Sequence, residues 1–114
     1  MFKIAICNDA VHEGEYLYSM LMQIMEEHSI LCKIKVYSSG KELLESEEQF
    51  HCIFLNVVMS GVDGIELGKS LNQINSNVKI IYITSFEEYC IDAVNHVHAL
   101  SFVLFILVNN GKSR

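Results

Sequence analysis

Residues 53–64 read IFLNVVMSGVDG, an apolar run that stops on Asn56 and passes into a short loop carrying Gly61 and Gly64. The run has the length and composition of a buried strand. Strands of a parallel sheet deliver their functional side chains at their C-terminal ends, because ligands settle in the crevice there. Asn56 therefore stands where chemistry is expected, and an amide serves few kinds of chemistry.

The rest of the chain sets this strand in context. Short β-branched or aromatic runs (FKIAIC, KIKVY, HCIFLN, VKIIYIT, LSFVLFILV) alternate with longer stretches of helical period, the mark of βαβ units and a parallel sheet. Leu17, Met20, Leu21, Ile24, Met25 and His28 recur at spacings of three and four, as do Phe86, Tyr89, Cys90, Ala93, Val94 and Val97. Each set predicts one buried helical stripe. Ser39 with Glu42 and Ser85 with Glu88 match the capping box that opens a helix. Pro is absent, so the turns fall to Gly14, Gly40, Gly61, Gly64 and Gly68. Right-handed crossovers between five such strands predict a doubly wound sheet in the order 2-1-3-4-5. At its switch point the chain places Asn8 and Asp9 after the first strand, Asn56 after the third and Thr84 after the fourth. Taken alone, Asn8 and Asp9 would be helix caps and Thr84 a turn residue.

Bulk properties narrow the function. A chain of 114 residues with 51% hydrophobic composition fits one packed domain, residues 1–114. The net charge is −6 and the eight Lys and Arg are scattered singly, which predicts no direct nucleic-acid binding and no anionic lipid surface. The longest apolar run, FVLFILV at 102–108, falls far short of a membrane span. MFKIAICND lacks the features of a signal peptide, so a cytoplasmic location is expected. Cys7, Cys32, Cys52 and Cys90 form no C-x-x-C pair and read as reduced packing residues. Cys7 could serve as a phosphatase-type nucleophile only with a phosphate-cradling loop behind it, and NDAVHEG supplies acids instead. His96 and His98 do not share a helical face, so no metal site is expected there. Glu45, Glu47 and Glu48 read as a solvated helix end.

KIAICND, YSSGKELLES, IFLNVVMSGVDGIEL and VKIIYITSFEEYCIDAV, in this order and spacing, resemble the receiver domain of bacterial response regulators, most nearly that of the LytTR class. The resemblance covers about residues 2–104. It implies a flavodoxin-like, CheY-like α/β fold and a two-component signalling module, not an enzyme. In such receivers a pair of acids after the first strand helps to hold Mg²⁺, and an Asp ending the third strand accepts a phosphoryl group from a histidine kinase. A Thr or Ser after the fourth strand and a Lys near the end of the fifth grip the phosphoryl oxygens, and an aromatic on the fifth strand changes rotamer. Carried over residue by residue, Asp9 keeps one metal acid, Thr84 the switch hydroxyl and Phe102 the switch aromatic.

The departures fall at the centre of that machinery. Asn8 replaces an acid, Asn56 the phosphoacceptor, Ser60 the usual Pro, and Phe105 the Lys. An amide nitrogen is delocalised into its carbonyl and is no nucleophile. Nor does Asn56 offer Mg²⁺ an anionic ligand, so a metal site of Asp9, Asn8 and the Val58 carbonyl is expected to be weak or lost and no cofactor is expected. Phe105 has no charge to meet a phosphoryl group. The expectation is a pseudo-receiver acting by contact with a protein partner, a histidine kinase or another response regulator. The resemblance implies a LytTR DNA-binding output domain after the receiver, which is expected to be absent from this chain, and the six residues after Val108 predict that the final helix is missing. The face beside the first helix is then expected to be covered in a homodimer. The alternative is a flavodoxin-like small-ligand-binding protein, which would need a Ser/Thr/Gly-rich phosphate loop in place of NDAVHEG.

Overall fold

The structure, a computed structural model, describes residues 1–59, 61–84 and 102–104. In chain order the elements are β1 (Phe2–Cys7), α1 (Val11–Glu27), β2 (Cys32–Tyr37), α2 (Gly40–Glu45) and β3 (Cys52–Asn56). A small hairpin of β4 (Val58–Met59) and β5 (Val62–Asp63) follows, then α3 (Gly64–Ile74), β6 (Lys79–Thr84) and β7 (Phe102–Leu104).

β1 lies between β2 and β3 and is parallel to both, with Ile4 opposite Ile34 on one side and Cys52 on the other. Ile4, Ala5, Ile6 and Cys7 are completely buried although successive side chains point to opposite faces, so both faces of this strand are covered. β3 pairs in parallel with β6, which places four strands in the order β2-β1-β3-β6, a flavodoxin-like α/β sheet. β7 runs parallel along β6, Phe102 opposite Tyr82 and Thr84 opposite Leu104. On one face Leu17 and Leu21 of α1 pack on Ile4, Ile6 and Ile83. On the other, Leu43 of α2 and Leu67 and Leu71 of α3 pack with Ala5, Cys7, Leu55 and Tyr82.

Two sequence readings need correction. In α1 the stripe of Leu17, Met20, Leu21 and Met25 meets the sheet, but Ile24 is 41% exposed and His28 lies at the surface. A helix of 17 residues is about 25 Å long and a strand of six about 20 Å, so the last turn outruns the sheet. Glu48 is not a solvated helix end. It is a bridge, its carboxylate lying 3.0 Å from Lys3, 3.4 Å from Lys33 and 3.0 Å from Lys35, and it ties the chain after α2 to the lysines of β1 and β2. Lys35 first, then Lys3, hold that carboxyl down to about 2.

One limb of the box at Ser39 forms, its hydroxyl accepting from the Glu42 backbone N–H at 3.1 Å, while the Glu42 carboxylate accepts from the Ser38 and Ser39 hydroxyls at 2.8 Å and 3.2 Å. The Ser85/Glu88 box, the stripe from Phe86 to Val97, Cys90, His96, His98, Ser60, Phe105 and the question of a final helix lie outside the described residues. No helix among the described residues is long and apolar enough to cross a membrane.

Candidate functional site

β1 and β3 end side by side, and their first polar residues meet. Asn8, just past β1, is 3% exposed, and its backbone N–H continues the pairing to β2 by donating to the Tyr37 carbonyl at 3.0 Å. Its side chain does not cap α1. The N-cap is Ala10, with no side-chain hydrogen bond, and Asn8 Oδ1 instead accepts from the Ala10 N–H at 2.9 Å, forming a turn just before the helix. The other end of the Asn8 amide donates to Glu13 Oε1 at 3.3 Å. Glu13 was not singled out from the sequence. Its placement in the first turn of α1 was the available signal, since acids favour that position.

Asn56, half-buried at the end of β3, sends its Nδ2 to two oxygens. It donates to Asn8 Oδ1 at 3.1 Å, across 48 residues of sequence, and to the Val58 carbonyl at 2.8 Å. The direction of both bonds follows from backbone groups that have only one role. The Val58 carbonyl can only accept, so the end of Asn56 facing it is the NH₂. The Ala10 N–H can only donate, so the end of Asn8 facing it is the oxygen.

The loop after β3 is held so that Val58 can take part. Gly61, at φ +71°, reverses the chain and pairs Val58 with Asp63, a hairpin that the Ser60-Gly61 dipeptide could have signalled. Asp63 then caps α3, accepting from the Ile65 N–H at 2.9 Å. At Gly64 a β-carbon would collide with the Asn56 carbonyl oxygen and come within 2.7 Å of Val57 Cα, so only glycine lets α3 start against the end of β3. Gly64 uses this proximity to donate to the Val57 carbonyl at 3.0 Å.

Asp9 is exposed, one residue beyond Asn8. Thr84 ends β6, whose preceding residue Ile83 accepts from the Val57 N–H at 2.9 Å. Phe102 opens β7. Cys7 lies beneath the crevice, and burial, aided by Asp9 and Glu42, pushes its thiol up to about 12, which leaves it in the unreactive thiol form at neutral pH. Beside Asn8, between α1 and β2, opens a groove of about 540 Å³ lined by Val11, Gly14, Tyr18 and Val36 among others.

The donor set does not fit Mg²⁺. That ion demands near-octahedral oxygen ligation and sheds water reluctantly. Here Asn56 presents N–H hydrogens, not oxygen, to the space shared with Asn8 and Val58. Among the described residues no group of three or more His, Cys, Asp or Glu side chains is placed to hold a metal ion.

Residues 10–104 match the family model described as the response regulator receiver domain. The fold is similar to that of the response regulator TrrA from Thermotoga maritima in complex with Mg²⁺-BeF, with a TM-score of 0.76 and 20% identity over 91% of this chain and 86% of that one. It is similar also to the BeF₃-activated receiver domain of DrrB from the same organism, with a TM-score of 0.74 and 19% identity over 100% and 99% of the two chains. A signal receiver domain of a DNA-binding response regulator from Colwellia psychrerythraea gives a TM-score of 0.73 and 18% identity over 99% and 96%. No curated protein sequence matches the chain. At these identities the structural likeness speaks for the fold.

Proposed function

The chain belongs to the response regulator receiver domain family of two-component systems, and from that premise we propose that it is a pseudo-receiver, one that signals through protein contact without phosphorylation at position 56. Receivers are signalling modules that work by engaging kinases or other proteins. The observation that carries the reading is Asn56: the position at the end of β3 holds an uncharged amide whose nitrogen is bonded to the oxygens on both sides of it. Its nitrogen lone pair is delocalised into the carbonyl and the group carries no negative charge, so it is no nucleophile toward phosphorus. Asn8 in place of an acid and Phe105 in place of the Lys agree with this assignment.

The finer assignments belong to the same proposal. Thr84 and Phe102 keep the switch positions without a phosphoryl group to answer. The sheet is five-stranded, with β7 as its outer strand. The wording of the four motifs supports the LytTR class of transcriptional regulators, a cytoplasmic setting, and a histidine kinase or another response regulator as partner. Met22 and Ile24, 36% and 41% exposed on α1, support a homodimer through that helix.

The decisive measurement is intact mass after incubation with acetyl phosphate and Mg²⁺. The expected result is no added phosphoryl group. A stoichiometric gain of one phosphoryl mass mapping to residue 56, or to another crevice residue, overturns the proposal. Light scattering at micromolar concentration tests the dimer separately, and a 13.0 kDa species alone overturns that part.

A further inference from the structure

We propose that the Asn56 carboxamide is a clasp that closes the crevice against divalent cations, its NH₂ group filling the point between Asn8 Oδ1 and the Val58 carbonyl where a cation would have to bind. The proposal rests on the pseudo-receiver reading and adds how the crevice is held in its place.

A carboxamide oxygen has two lone pairs. Asn8 Oδ1 accepts from the Ala10 N–H at 2.9 Å and from Asn56 Nδ2 at 3.1 Å, so both are occupied. An NH₂ group has two hydrogens. Asn56 directs one to Asn8 and the other to Val58 at 2.8 Å, so both are used. A cation entering here would have to break the bridge, expose nitrogen-bound hydrogens to its own positive charge, and take up an oxygen already spent on the backbone of the first turn. Neither amide supplies negative charge in return. Asn8 is itself 3% exposed and anchored at its far end to Glu13, so it has little freedom to turn another face to the ion.

The same bonds do mechanical work. They join the end of β1 to the end of β3 and fold the β3 side chain back onto the hairpin, which is in turn tied to the start of α3 by the bond from Gly64 to Val57. Where a metal would link these three segments, a neutral amide links them permanently. The crevice therefore keeps one arrangement whatever the metal concentration, a property suited to a module that presents a constant surface.

The test uses the unaltered chain, labelled with ¹⁵N. The Asn56 side-chain NH₂ is expected to show two well-separated proton signals protected from exchange. Millimolar Mg²⁺, which is diamagnetic, is expected to leave the two Asn56 NH₂ signals unshifted, whatever it shifts at exposed Asp9. A Mg²⁺-dependent shift or loss of the Asn56 NH₂ signals overturns the clasp, and so does an Asn56 NH₂ that exchanges as freely as exposed amides. A double-mutant cycle with Asn8→Ala and Asn56→Ala adds an independent readout. The urea midpoint of the double variant is expected to fall by less than the sum of the two single shifts, and strict additivity overturns the clasp. If the variants do not fold, the spectra of the unaltered chain decide. Failure here is distinguishable from failure of the pseudo-receiver reading: Mg²⁺-dependent change of the Asn56 NH₂ signals without phosphoryl uptake overturns the clasp alone, whereas phosphoryl mass at residue 56 overturns the functional assignment.

Discussion

Replacing Asn56 by Asp changes one atom and reverses the sense of the site. The amide donates two hydrogen bonds, at 3.1 Å and 2.8 Å, and a carboxylate can donate neither. At about 0.5–1.5 kcal/mol each, their loss costs roughly 1–3 kcal/mol. The new oxygens also face two acceptors, Asn8 Oδ1 and the Val58 carbonyl. Because residue 56 is half-buried and Val58 is 39% exposed, the carboxylate can turn partly to water, so this repulsion adds only about 1 kcal/mol. The total is about 2–4 kcal/mol, which for a domain of this size lowers the thermal midpoint by roughly 8–16 °C at neutral pH.

The pH dependence has a definite sign. An acid facing acceptors favours its protonated form, so its folded pKa rises above the unfolded value of about 3.9. Below that value the acid is protonated in both states and its one O–H restores one of the two donated bonds; the pH-dependent part of the destabilisation is absent there and grows as pH rises through the folded pKa, because over that window the folded state binds more protons. Metal reverses it. Mg²⁺ at ten times its dissociation constant returns about 1.4 kcal/mol. The assay is thermal unfolding of both chains between pH 3.5 and pH 8, with and without Mg²⁺, those conditions chosen to span roughly the titration range of a carboxylate. Equal midpoints at neutral pH, or a variant that Mg²⁺ does not stabilise, refute the reasoning.

Three further outcomes are expected. Glu48 is paired with three lysines and titrates near 2 instead of the ordinary 4.5, so its stabilisation is complete above 4.5 and is lost as pH falls through 2. Glu48→Gln should remove that acid limb from a plot of urea midpoint against pH, and an unchanged limb speaks against the bridge. At Gly68 a methyl group would strike the Tyr82 hydroxyl and come within 2.7 Å of its Cζ, so Gly68→Ala should cost about 1–3 kcal/mol in chemical denaturation. The cost should shrink in a Tyr82→Phe background, and a neutral Gly68→Ala contradicts the packing. Burial pushes Cys7 to about 12 and Cys52 to about 11. In a thiol-reagent time course near pH 8, both should therefore label only as fast as the protein unfolds, and half-buried Cys32 should be modified before either.

The alternation of strand-like and helical periods was enough to place β1, α1, β2, β3 and β6 and to bring Asn8 and Asn56 to neighbouring strand ends. Apolar periodicity is a local property, and a chain with this pattern has few ways to bury it. The capping pair Ser39 and Glu42 was legible for the same reason, since its partners are three residues apart. The misreadings at Ile24 and His28 came from carrying a periodic pattern past the end of the sheet it was meant to cover. Polar partnerships were decided elsewhere. No pattern near residue 48 announces that its carboxylate meets lysines at 3, 33 and 35, because that meeting depends on the path of the chain after α2 and on the register of β1 with β2. The sequence could say that Asn56 lacks the charge and the nucleophile of an acid. That its NH₂ reaches Asn8 across 48 residues follows only once β1 and β3 are in register, since the distance and angle of a bond between two strands are contained in neither strand alone.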